Sequence, residues 1–421
     1  MKASLAAELG EAARLVALVA SGASLAEQLP RVDASSASRG ALIDLTHGTL
    51  RRYGRVHTIV NALSSRGQPD ETVAALLWCA LYALESGRYG DHTVVDEAVK
   101  ACGVLERWPA KSYVNALLRR FLRERAAIEE QLATQDEAKY QHPNWWIEVL
   151  RAAYPEAWPS ILEAGNSHPP MGVRPNLRRI SLADYQARLA QAGIAAHRYG
   201  RQALILERPL PVERLPGFAA GEISVQDAGA QRAAYCLDLA GGQRVLDACA
   251  APGGKAAHIL ELADVELTAL DHEAARAARI GPNLARLGLA ASVRIGDATE
   301  PSAWWDGRSF ERILADVPCT ASGIARRRPD VKWLRRRSDL EEFARRQRAI
   351  LAALWPMLAA GGKLLYATCS VFPQENETVV DAFVAATAHA RRLPLADGEP
   401  AQWLPDAQHD GFFYALIQKQ A

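Results

Sequence analysis

The first 135 residues follow a helical pattern of apolar and polar positions. Apolar side chains recur at three- and four-residue spacing, which places them on one face of a helix. Two clear series are Val73, Leu76, Leu77 and Ala80, and Val114, Leu117, Leu118 and Phe121. Because about six such helices fit this segment, the pattern predicts an all-α bundle over residues 1–135.

The pattern of residue types changes over residues 136–230. Prolines gather at Pro143, Pro155, Pro159, Pro169, Pro170 and Pro175. Two short β-like runs, 172–174 and 203–206, enclose a helix-like run near 182–192. This segment is therefore predicted to be a connector followed by a small α/β element.

From residue 231 to 421, short apolar strands alternate with helical stretches. The candidate strands are Val245–Ala248, Leu267–Leu270, Ser292–Ile295, Ile313–Asp316, Lys363–Ala367 and Phe412–Ile417. This alternation is typical of βα units and predicts an α/β domain built on a parallel sheet.

Composition and charge narrow the class of protein. The 421 residues include 49 basic and 48 acidic side chains, which gives a net charge of +1. This balance excludes a surface that is basic overall but is compatible with a local basic patch. No run approaches the ~18 apolar residues that a membrane span needs. The six cysteines lie far apart, which argues against a disulfide framework or a zinc site. We expect a cytoplasmic protein that does not enter a membrane.

A glycine-rich loop follows the first strand of the α/β domain. The strand ends at Asp247, and Pro252-Gly253-Gly254 leads into a helix near Lys255, whose N-terminus favours a carboxylate. Asp271 ends the second strand, where it can accept hydrogen bonds from ribose hydroxyls. Asp297 follows the third strand and could accept from an adenine amino group. The loop has neither the Gly-x-Gly-x-x-Gly spacing of NAD-binding proteins nor the Gly-Lys-Ser/Thr sequence of a P-loop, so S-adenosylmethionine suits the set best.

Two cysteines leave neighbouring strands at the predicted ligand-binding edge. Asp316-Val317-Pro318-Cys319 ends the fourth strand, and Thr368-Cys369-Ser370 ends the fifth. Carbon 5 of cytosine is too weak a nucleophile to take a methyl group directly. A thiolate that adds to carbon 6 activates carbon 5, and a base must later remove the carbon 5 proton. One cysteine can attack while the other assists release, and Asp316 can hydrogen-bond the cytosine ring.

These motifs resemble those of the RNA (cytosine-5) methyltransferases. The matching segments are 247–255, 316–319, 368–370, 375–377 and 410–415. The resemblance implies that Cys369 attacks and that Cys319 assists release. It also implies a Rossmann-like domain with a seven-stranded, mostly parallel sheet. The implied S-adenosylmethionine contacts are Cys249, Ala250, Ala251, Pro252, Gly253, Gly254, Lys255, Asp271, Asp297 and Asp316, with no chemical role for the Cys249 thiol.

The helical segment resembles a NusB-like domain in residues 41–52 and 113–121. Joined to this catalytic domain, it is similar to the RsmB-type bacterial enzymes that methylate one cytosine of 16S ribosomal RNA. The resemblance implies that 16S ribosomal RNA is the partner. We also expect the protein to be a monomer. Three alternatives stay open: a cytosine-5 methyltransferase of another RNA such as tRNA, a non-catalytic RNA-binding module, and a small-molecule methyltransferase.

Several basic segments are candidate RNA contacts. Residues 326–348 carry ten Lys or Arg and four Asp or Glu, a net +6, and include Trp333. This composition suits phosphate contact and base stacking, with a solvated helix as the competing interpretation. Two arginine groups on the bundle, at 51–55 and 119–125, could form an RNA surface or a solvated face. Arg174-Pro175-Asn176 lies at the start of the small α/β element, which by resemblance helps to bind RNA.

Overall fold

The chain forms two compact units. A computed structural model describes residues 4–32, 36–64, 67 and 69–420. The first unit comprises Met1–Ser167 and Ala325–Arg337, and the second comprises His168–Ile324 and Ser338–Ala421. The segment 325–337, which lies in sequence between the two predicted catalytic cysteines, therefore belongs to the helical unit.

The first unit contains helices and no strand over its described residues, which confirms the all-α character predicted for residues 1–135. Its helices are Leu5–Ala20, Leu25–Gln28, Ser36–Arg51, Tyr53–Leu63, Glu71–Glu85, Asp91–Val104, Lys111–Ala133, Asp136–Tyr140, Asn144–Ala153, Trp158–Asn166 and Val331–Leu334. Asp70 caps the helix Glu71–Glu85, because its carboxylate accepts hydrogen bonds from the backbone N–H groups of Thr72 and Val73. That helix is buried from Val73 to Leu84 and forms the centre of the bundle core.

The predicted domain boundary between residues 135 and 136 stays a prediction. The three helices that follow it, Asp136–Tyr140, Asn144–Ala153 and Trp158–Asn166, group with the first unit. Two of the prolines that suggested a connector lie at helix starts: Pro143 precedes the second helix, and Pro159 occupies the first turn of the third. Proline is well tolerated there, since the N–H groups of a first turn have no intrahelical partner.

The second unit begins with a small antiparallel sheet. Its strands are β1 (Met171–Pro175), β2 (Ala196–Tyr199), β3 (Ala203–Leu206) and β4 (Ile223–Val225), in the order β2-β3-β1-β4. The helix Leu182–Gln191 packs Tyr185 and Leu189 into an apolar core with these strands. The predicted small α/β element is confirmed.

The larger sheet confirms the predicted Rossmann-like class. Its strands are β5 (Arg244–Asp247), β6 (Glu266–Asp271), β7 (Ser292–Ile295), β8 (Phe310–Asp316), β9 (Leu358–Thr368), β10 (Ala390–Leu393), β11 (Gln402–Trp403) and β12 (Phe412–Lys419). Seven strands follow the order β10-β12-β9-β8-β5-β6-β7, and the two-residue β11 lies off this order, paired with β12. The strands β5 to β9 pair in parallel, whereas β12 runs antiparallel to β9.

Helices cover both faces of this sheet. They are Arg232–Cys236, Gly254–Leu262, Ala274–Ala277, Ile280–Leu287, Asp339–Leu354 and Glu377–Ala386. Two apolar clusters, one on each side of the sheet, bury its central strands. Across the described ranges, no helix combines the length and apolar character that a membrane span requires.

The strand order reverses beside β5, which lies between β6 and β8. In open parallel sheets, ligands bind at the carboxyl ends of the strands where such a reversal occurs. The residues at these ends are Asp247, Asp271, Asp316 and Thr368. The fold thus brings the predicted functional segments to one edge of the sheet.

Candidate active site

The loop after β5 is held tightly against its neighbours. The N–H of Ala250 donates to the carbonyl of Leu270 at 2.8 Å, which ties the loop to the end of β6. Gly253 has a φ of +98°, and a Cβ atom there would lie 3.3 Å from the side chain of Ile280. Glycine therefore suits this position for two reasons: the backbone conformation disfavours other residues, and there is little space for a side chain. The helix Gly254–Leu262 begins at the next residue.

Asp271 fixes the same loop from β6. One carboxylate oxygen accepts from the N–H of Ala251 at 3.1 Å, and the other accepts from the N–H of Glu273 at 3.2 Å. The side chain is almost fully buried. Asp271 therefore lies at the predicted position, and its carboxylate also shapes the loop.

Asp247 is a buried acid that the sequence analysis used only as a strand end. It has no solvent exposure, and neither carboxylate oxygen makes a hydrogen bond of normal geometry to a described residue. Burial, followed by the negative charge of Asp316, raises its pKa to about 7. The charge of Lys255 and a weak contact with the backbone N–H of Cys249 oppose this rise without cancelling it. A buried carboxylate so poorly supplied with donors is costly, and such groups concentrate at functional sites.

Asp297 follows β7, on the far side of β6 from Asp247. Its Oδ1 accepts from both the N–H and the hydroxyl of Thr299 at 2.8 Å. The Thr299 N–H is the main reason why the pKa of Asp297 lies below its usual value. Asp297 is therefore an ionised, half-exposed acceptor in the same series of strand ends as Asp247 and Asp271.

Lys255 and Asp316 form an ion pair across the edge of the sheet. The Lys255 ammonium lies 2.5 Å from one oxygen of Asp316, and both side chains are largely shielded from water. Burial alone would lower the pKa of Lys255, but the Asp316 carboxylate outweighs it and raises the pKa. The pair combines a group from the glycine-rich loop with the acid of the Asp316–Cys319 segment.

The two predicted catalytic cysteines lie side by side. Their Sγ atoms are 3.4 Å apart, well beyond the ~2.05 Å of a disulfide bond, and both thiols are free. Cys319 is buried, whereas Cys369 is partly exposed. The hydrogen bond with Cys369, burial and the charge of Cys369 raise the pKa of Cys319 well above its usual value. Cys319 is therefore the thiol that keeps its proton.

Glu375 joins the two cysteine segments, a role that the sequence analysis did not assign. Its carboxylate accepts from the N–H of Thr320 at 2.7 Å, from the Thr320 hydroxyl at 2.5 Å and from the Ser370 hydroxyl at 2.6 Å. Thr320 follows Cys319, and Ser370 follows Cys369. Burial raises the pKa of Glu375, and the hydrogen bonds from Ser370, Thr320 and Gln347 oppose this rise. One carboxylate thus holds the backbone next to both thiols.

The closing motif packs against the same segments. The N–H of Gly411 donates to the carbonyl of Gly323, and the N–H of Gly323 donates to the carbonyl of Cys369. A Cβ atom on Gly323 would lie 2.3 Å from the Gly411 oxygen, so this approach requires glycine. The segments around residues 320, 370 and 411 therefore form one connected backbone frame around the thiols.

Comparisons with known proteins identify the family. Residues 234–418 match the family 16S rRNA methyltransferase RsmB/F, residues 142–213 match the ferredoxin-like domain of RsmF/B-like methyltransferases, and residues 11–123 match the NusB family. The ribosomal RNA small subunit methyltransferase B of Vibrio cholerae is 41% identical over 97% of this chain and 96% of its own length. That of Pseudomonas putida is 42% identical over 97% and 98%. The chain belongs to the RsmB/F methyltransferase family.

Solved structures support the same fold. A methyltransferase homolog from Pyrococcus horikoshii is 27% identical, with a TM-score of 0.60 over 68% of this chain and 97% of its own. The protein PH0851 shares the fold over 98% of this chain and 99% of its own, with a TM-score of 0.80 and 23% identity.

The cofactor of this RsmB/F family member is S-adenosylmethionine. The residues at the sheet edge fit this molecule. The orphaned carboxylate of Asp247, the helix N-terminus at Gly254 and the acids Asp271 and Asp297 offer sites for an ammonium, a carboxylate, ribose hydroxyls and an amino group.

Cys249 lies in the loop after β5, and the absence of a chemical role for its thiol, implied by the resemblance, stays a prediction. Burial, followed by the charge of Asp316, raises the pKa of its thiol, so the thiol stays protonated. The described residues include no group of three or more His, Cys, Asp or Glu side chains arranged to hold a metal ion.

Arg174 is not available to RNA in this RsmB/F family member, contrary to the expectation for its segment. It is fully buried, and two of its nitrogens donate to the carboxylate of Glu261 at 2.8 and 2.9 Å. A third donates to the carbonyl of Gly254 at 3.1 Å, at the start of the loop helix. Arg174 therefore joins the small sheet to the cofactor helix.

The expectation that the 326–348 segment stacks bases through Trp333 is also wrong. The Trp333 ring packs against the bundle core, 4.8 Å from the Tyr53 ring, and its Nε1 donates to the carbonyl of Leu50. Arg326 and Lys332 are buried in the same unit. Apolar contact and carbonyl acceptors hold these residues, which sequence composition alone could not reveal. Arg336 and Arg337 are exposed, and Arg337 pairs with Glu148 at 2.9 Å.

The first arginine group of the bundle is mostly internal. Arg51 is buried and donates to the carbonyl of Arg326, and Arg55 pairs with Glu85 and Glu129. In the second group, Arg119, Arg123 and Arg125 are exposed. An RNA surface on the bundle, as first predicted, can therefore draw on the second group but not on the Arg51 and Arg55 side chains.

Proposed function

We propose that the protein transfers a methyl group from S-adenosylmethionine to carbon 5 of a cytosine in 16S ribosomal RNA, through a covalent bond between Cys369 and the cytosine. The observation that carries this proposal is the separation of 3.4 Å between the Cys319 and Cys369 sulfur atoms at the ligand-binding edge. Direct methylation of an amino group or a ribose hydroxyl needs no thiol, whereas methylation at carbon 5 needs a nucleophile and a route for its release.

The cofactor contacts proposed for this reaction are the loop residues Cys249 to Lys255 together with Asp271, Asp297 and Asp316. S-adenosylmethionine supplies an electrophilic methyl group when it is bound. The protein's part is to orient it: Asp271 holds the loop through Ala251, and the helix beginning at Gly254 presents free N–H groups.

Cys369 is the proposed nucleophile. Its sulfur forms a bond to carbon 6, and the electron pair of the carbon 5–carbon 6 double bond moves into the ring, where it neutralises the protonated amidine. Asp316 lies at the same sheet edge and can accept hydrogen bonds from this amidine, which favours its protonated form. Carbon 5 becomes enamine-like and bonds to the methyl carbon, while the bond between that carbon and the sulfonium sulfur breaks and its electron pair stays on the sulfur of the departing thioether. Cys319 supports the attack because its S–H can donate to the Cys369 thiolate.

Cys319 is the proposed base for release. Once Cys369 is bonded to carbon, it carries no negative charge and no longer accepts a hydrogen bond from Cys319. Both of these effects had helped to keep the pKa of Cys319 high. Cys319 then loses its proton to solvent and takes the proton from carbon 5. The double bond re-forms, and Cys369 leaves as a thiolate. The proton that Cys319 gave to solvent is the net proton of the reaction.

The proposed partner is 16S ribosomal RNA, and the proposed setting is a monomer in the cytoplasm. A cytosine in folded RNA must leave its base stack to reach both the Cys369 sulfur and the methyl donor. The partial exposure of Cys369 supports access from solvent.

Bisulfite sequencing tests the whole proposal. Purified protein, S-adenosylmethionine and unmodified 16S ribosomal RNA should give one cytosine that resists deamination, and Cys369→Ala should give none. Transfer RNA in a parallel reaction tests the alternative substrate. A methylated 16S product without bisulfite resistance would overturn the carbon 5 assignment, and full activity of Cys369→Ala would overturn the covalent mechanism.

A further inference from the structure

A buried glutamine on the helix Asp339–Leu354 has no part in the mechanism proposed above. Gln347 lies on the inner face of this helix, in sequence between the buried apolar residues Ala344 and Leu351, and its side chain has no solvent exposure. A polar side chain on the apolar face of a helix gives up its contacts with water and needs partners inside the protein. The partners of Gln347 therefore show what it does there.

The amide of Gln347 binds the backbone next to Cys319. Its Nε2 donates to the carbonyl of Pro318 at 2.9 Å, and the same nitrogen lies 3.4 Å from Oε1 of Glu375. Both neighbours are acceptors, so the NH2 group and not the amide oxygen must face them. Pro318 precedes Cys319. Glu375 accepts from the N–H of Thr320, the residue that follows Cys319. The backbone of Cys319 is thus fixed on both sides.

The oxygen of the same amide argues against a purely structural role. Within the described part of the chain, Oε1 of Gln347 is buried and has no hydrogen-bond partner. A buried acceptor without a donor is unfavourable, so a leucine of similar length would serve the packing of this helix at least as well. What a leucine cannot supply is the hydrogen bond to the Pro318 carbonyl.

The segment of the other thiol is held by a different side chain. Asn376 is fully buried and contacts the residues on either side of Cys369. Its Oδ1 accepts from the hydroxyl of Thr368 at 2.6 Å, and its Nδ2 donates to the carbonyl of Ser370 at 2.9 Å. The two thiols therefore have separate supports in addition to the carboxylate that joins them.

We propose that Gln347 positions Cys319 for the release step, whereas Asn376 positions Cys369 for attack. The inference rests on the proposed function, since it requires the covalent bond between Cys369 and the cytosine. In release, the proton of carbon 5 goes to the Cys319 sulfur and the carbon 5–carbon 6 double bond re-forms. The carbon–sulfur bond breaks, and its electron pair stays on Cys369. A displacement of about 1 Å can slow such a step by about 100-fold, so loss of the bond to Pro318 slows release more than attack.

Gln347→Leu tests the release step. It removes the donor to Pro318 and the orphaned oxygen together, so the melting temperature should stay within about 4 °C of the wild-type value. In a single turnover, the methyl group should reach the RNA at a rate within about threefold of wild type. Steady-state kcat should decrease roughly 10- to 100-fold, because release becomes rate-limiting. Denaturing electrophoresis with labelled RNA should show a larger fraction of protein in the covalent complex.

Asn376→Ala tests the attack. It should lower the single-turnover rate of methyl transfer roughly 10- to 100-fold without a larger covalent fraction. Because Asn376 loses three hydrogen bonds in this variant, the dissociation constant of S-adenosylmethionine checks its folding. If that constant changes, Asn376→Asp takes its place, since it keeps the oxygen that accepts from Thr368. Glu342→Gln is the control, because Glu342 is exposed on the same helix as Gln347 and should behave as wild type.

The covalent fraction decides the outcome. The proposal predicts that this fraction rises in Gln347→Leu only, whereas a merely structural role would lower both rates together. A wild-type covalent fraction in Gln347→Leu, or accumulation of the covalent complex by the Asn376 variant, would overturn the inference. Failure of the proposed function is visible separately, since the wild-type protein would then form neither 5-methylcytosine nor a covalent complex with RNA.

Discussion

Glu375 accepts two hydrogen bonds from Thr320, one from its backbone N–H at 2.7 Å and one from its hydroxyl at 2.5 Å. Because Thr320 follows Cys319, this contact sets the direction in which the Cys319 thiol leaves the backbone. The same carboxylate accepts from the Ser370 hydroxyl next to Cys369. Glu375 is thus a positioning residue that acts on both thiols through the residues next to them.

Glu375→Gln should slow catalysis without preventing cofactor binding. A glutamine has an NH2 group in place of one carboxylate oxygen, so at least one of the hydrogen bonds that Thr320 and Ser370 donate to Glu375 must be lost or reversed. We expect kcat to decrease roughly 10- to 100-fold, as for the loss of about 1.4 to 2.7 kcal/mol of transition-state stabilisation. The dissociation constant of S-adenosylmethionine, measured by calorimetry, should stay within twofold.

The control for this variant is Glu399→Gln, a substitution outside the thiol frame. It should leave kcat near that of the wild type, because the partner of Glu399 is Arg232 and not a residue next to either thiol. Equal kcat values for Glu375→Gln and the wild type would remove the positioning role.

Cys319→Ala should trap the protein on RNA. Cys369 can still attack, but the proposed base for the carbon 5 proton is gone, so the covalent bond persists after methyl transfer. Denaturing electrophoresis with labelled RNA should show a slow-migrating band that requires Cys369 and is absent from Cys319→Ala/Cys369→Ala. Free turnover by Cys319→Ala would assign release to another group.

Asp247 should make the stability of the cofactor-free protein depend on pH. Its pKa is raised from 3.8 to about 7 in the folded state, so the folded protein binds this proton more tightly than the unfolded chain does. The contribution of Asp247 to stability is therefore greatest below about pH 4 and is lost as the pH rises to about 7. A shift of this size corresponds to about 4 kcal/mol.

Asp247→Asn removes that dependence. Its melting temperature should exceed that of the wild type at pH 8, and the difference should shrink steadily toward pH 4. Asp264→Asn is the matched control, because Asp264 is exposed and its replacement should leave the pH profile unchanged. Parallel profiles for Asp247→Asn and the wild type would show that this carboxyl titrates normally.

Lys332 should contribute to the stability of the helical unit despite its buried charge. Its ammonium donates to the carbonyls of Arg51 and Gln141 and to the side-chain oxygen of Asn166, each at 2.9 Å. Lys332→Met keeps most of the volume but leaves these acceptors without a donor, so we expect a loss of about 2 to 4 kcal/mol. Urea unfolding should show it, whereas exposed Arg336→Ala should change stability by less than about 0.5 kcal/mol.

Several features followed directly from the sequence. The fold class was predicted from the helical period of the first segment and from the alternation of strands and helices in the last one. This is possible because an element buried on one face has a different spacing of apolar residues from one buried on both faces. The strand-end positions of Asp271, Asp297, Asp316, Cys319 and Cys369 then predicted a shared edge, because parallel strands align their carboxyl ends. Four short strands, β2, β4, β10 and β11, were missed, since two to four residues carry too little pattern.

The tertiary structure decided which polar side chains face solvent. Arg174, Lys332 and Trp333 are residue types that commonly contact RNA, yet each makes its hydrogen bonds inside the protein. Their partners, Glu261, the carbonyl of Arg51 and the carbonyl of Leu50, are between 87 and 283 positions away in the chain, so no local pattern reveals them. Glu375 and Asp247 show the same limit: hydrogen-bond partners and desolvation arise only when distant segments meet. Local periodicity determined the elements and the edge where the chemistry lies, and three-dimensional packing decided the protonation, positioning and exposure of the groups there.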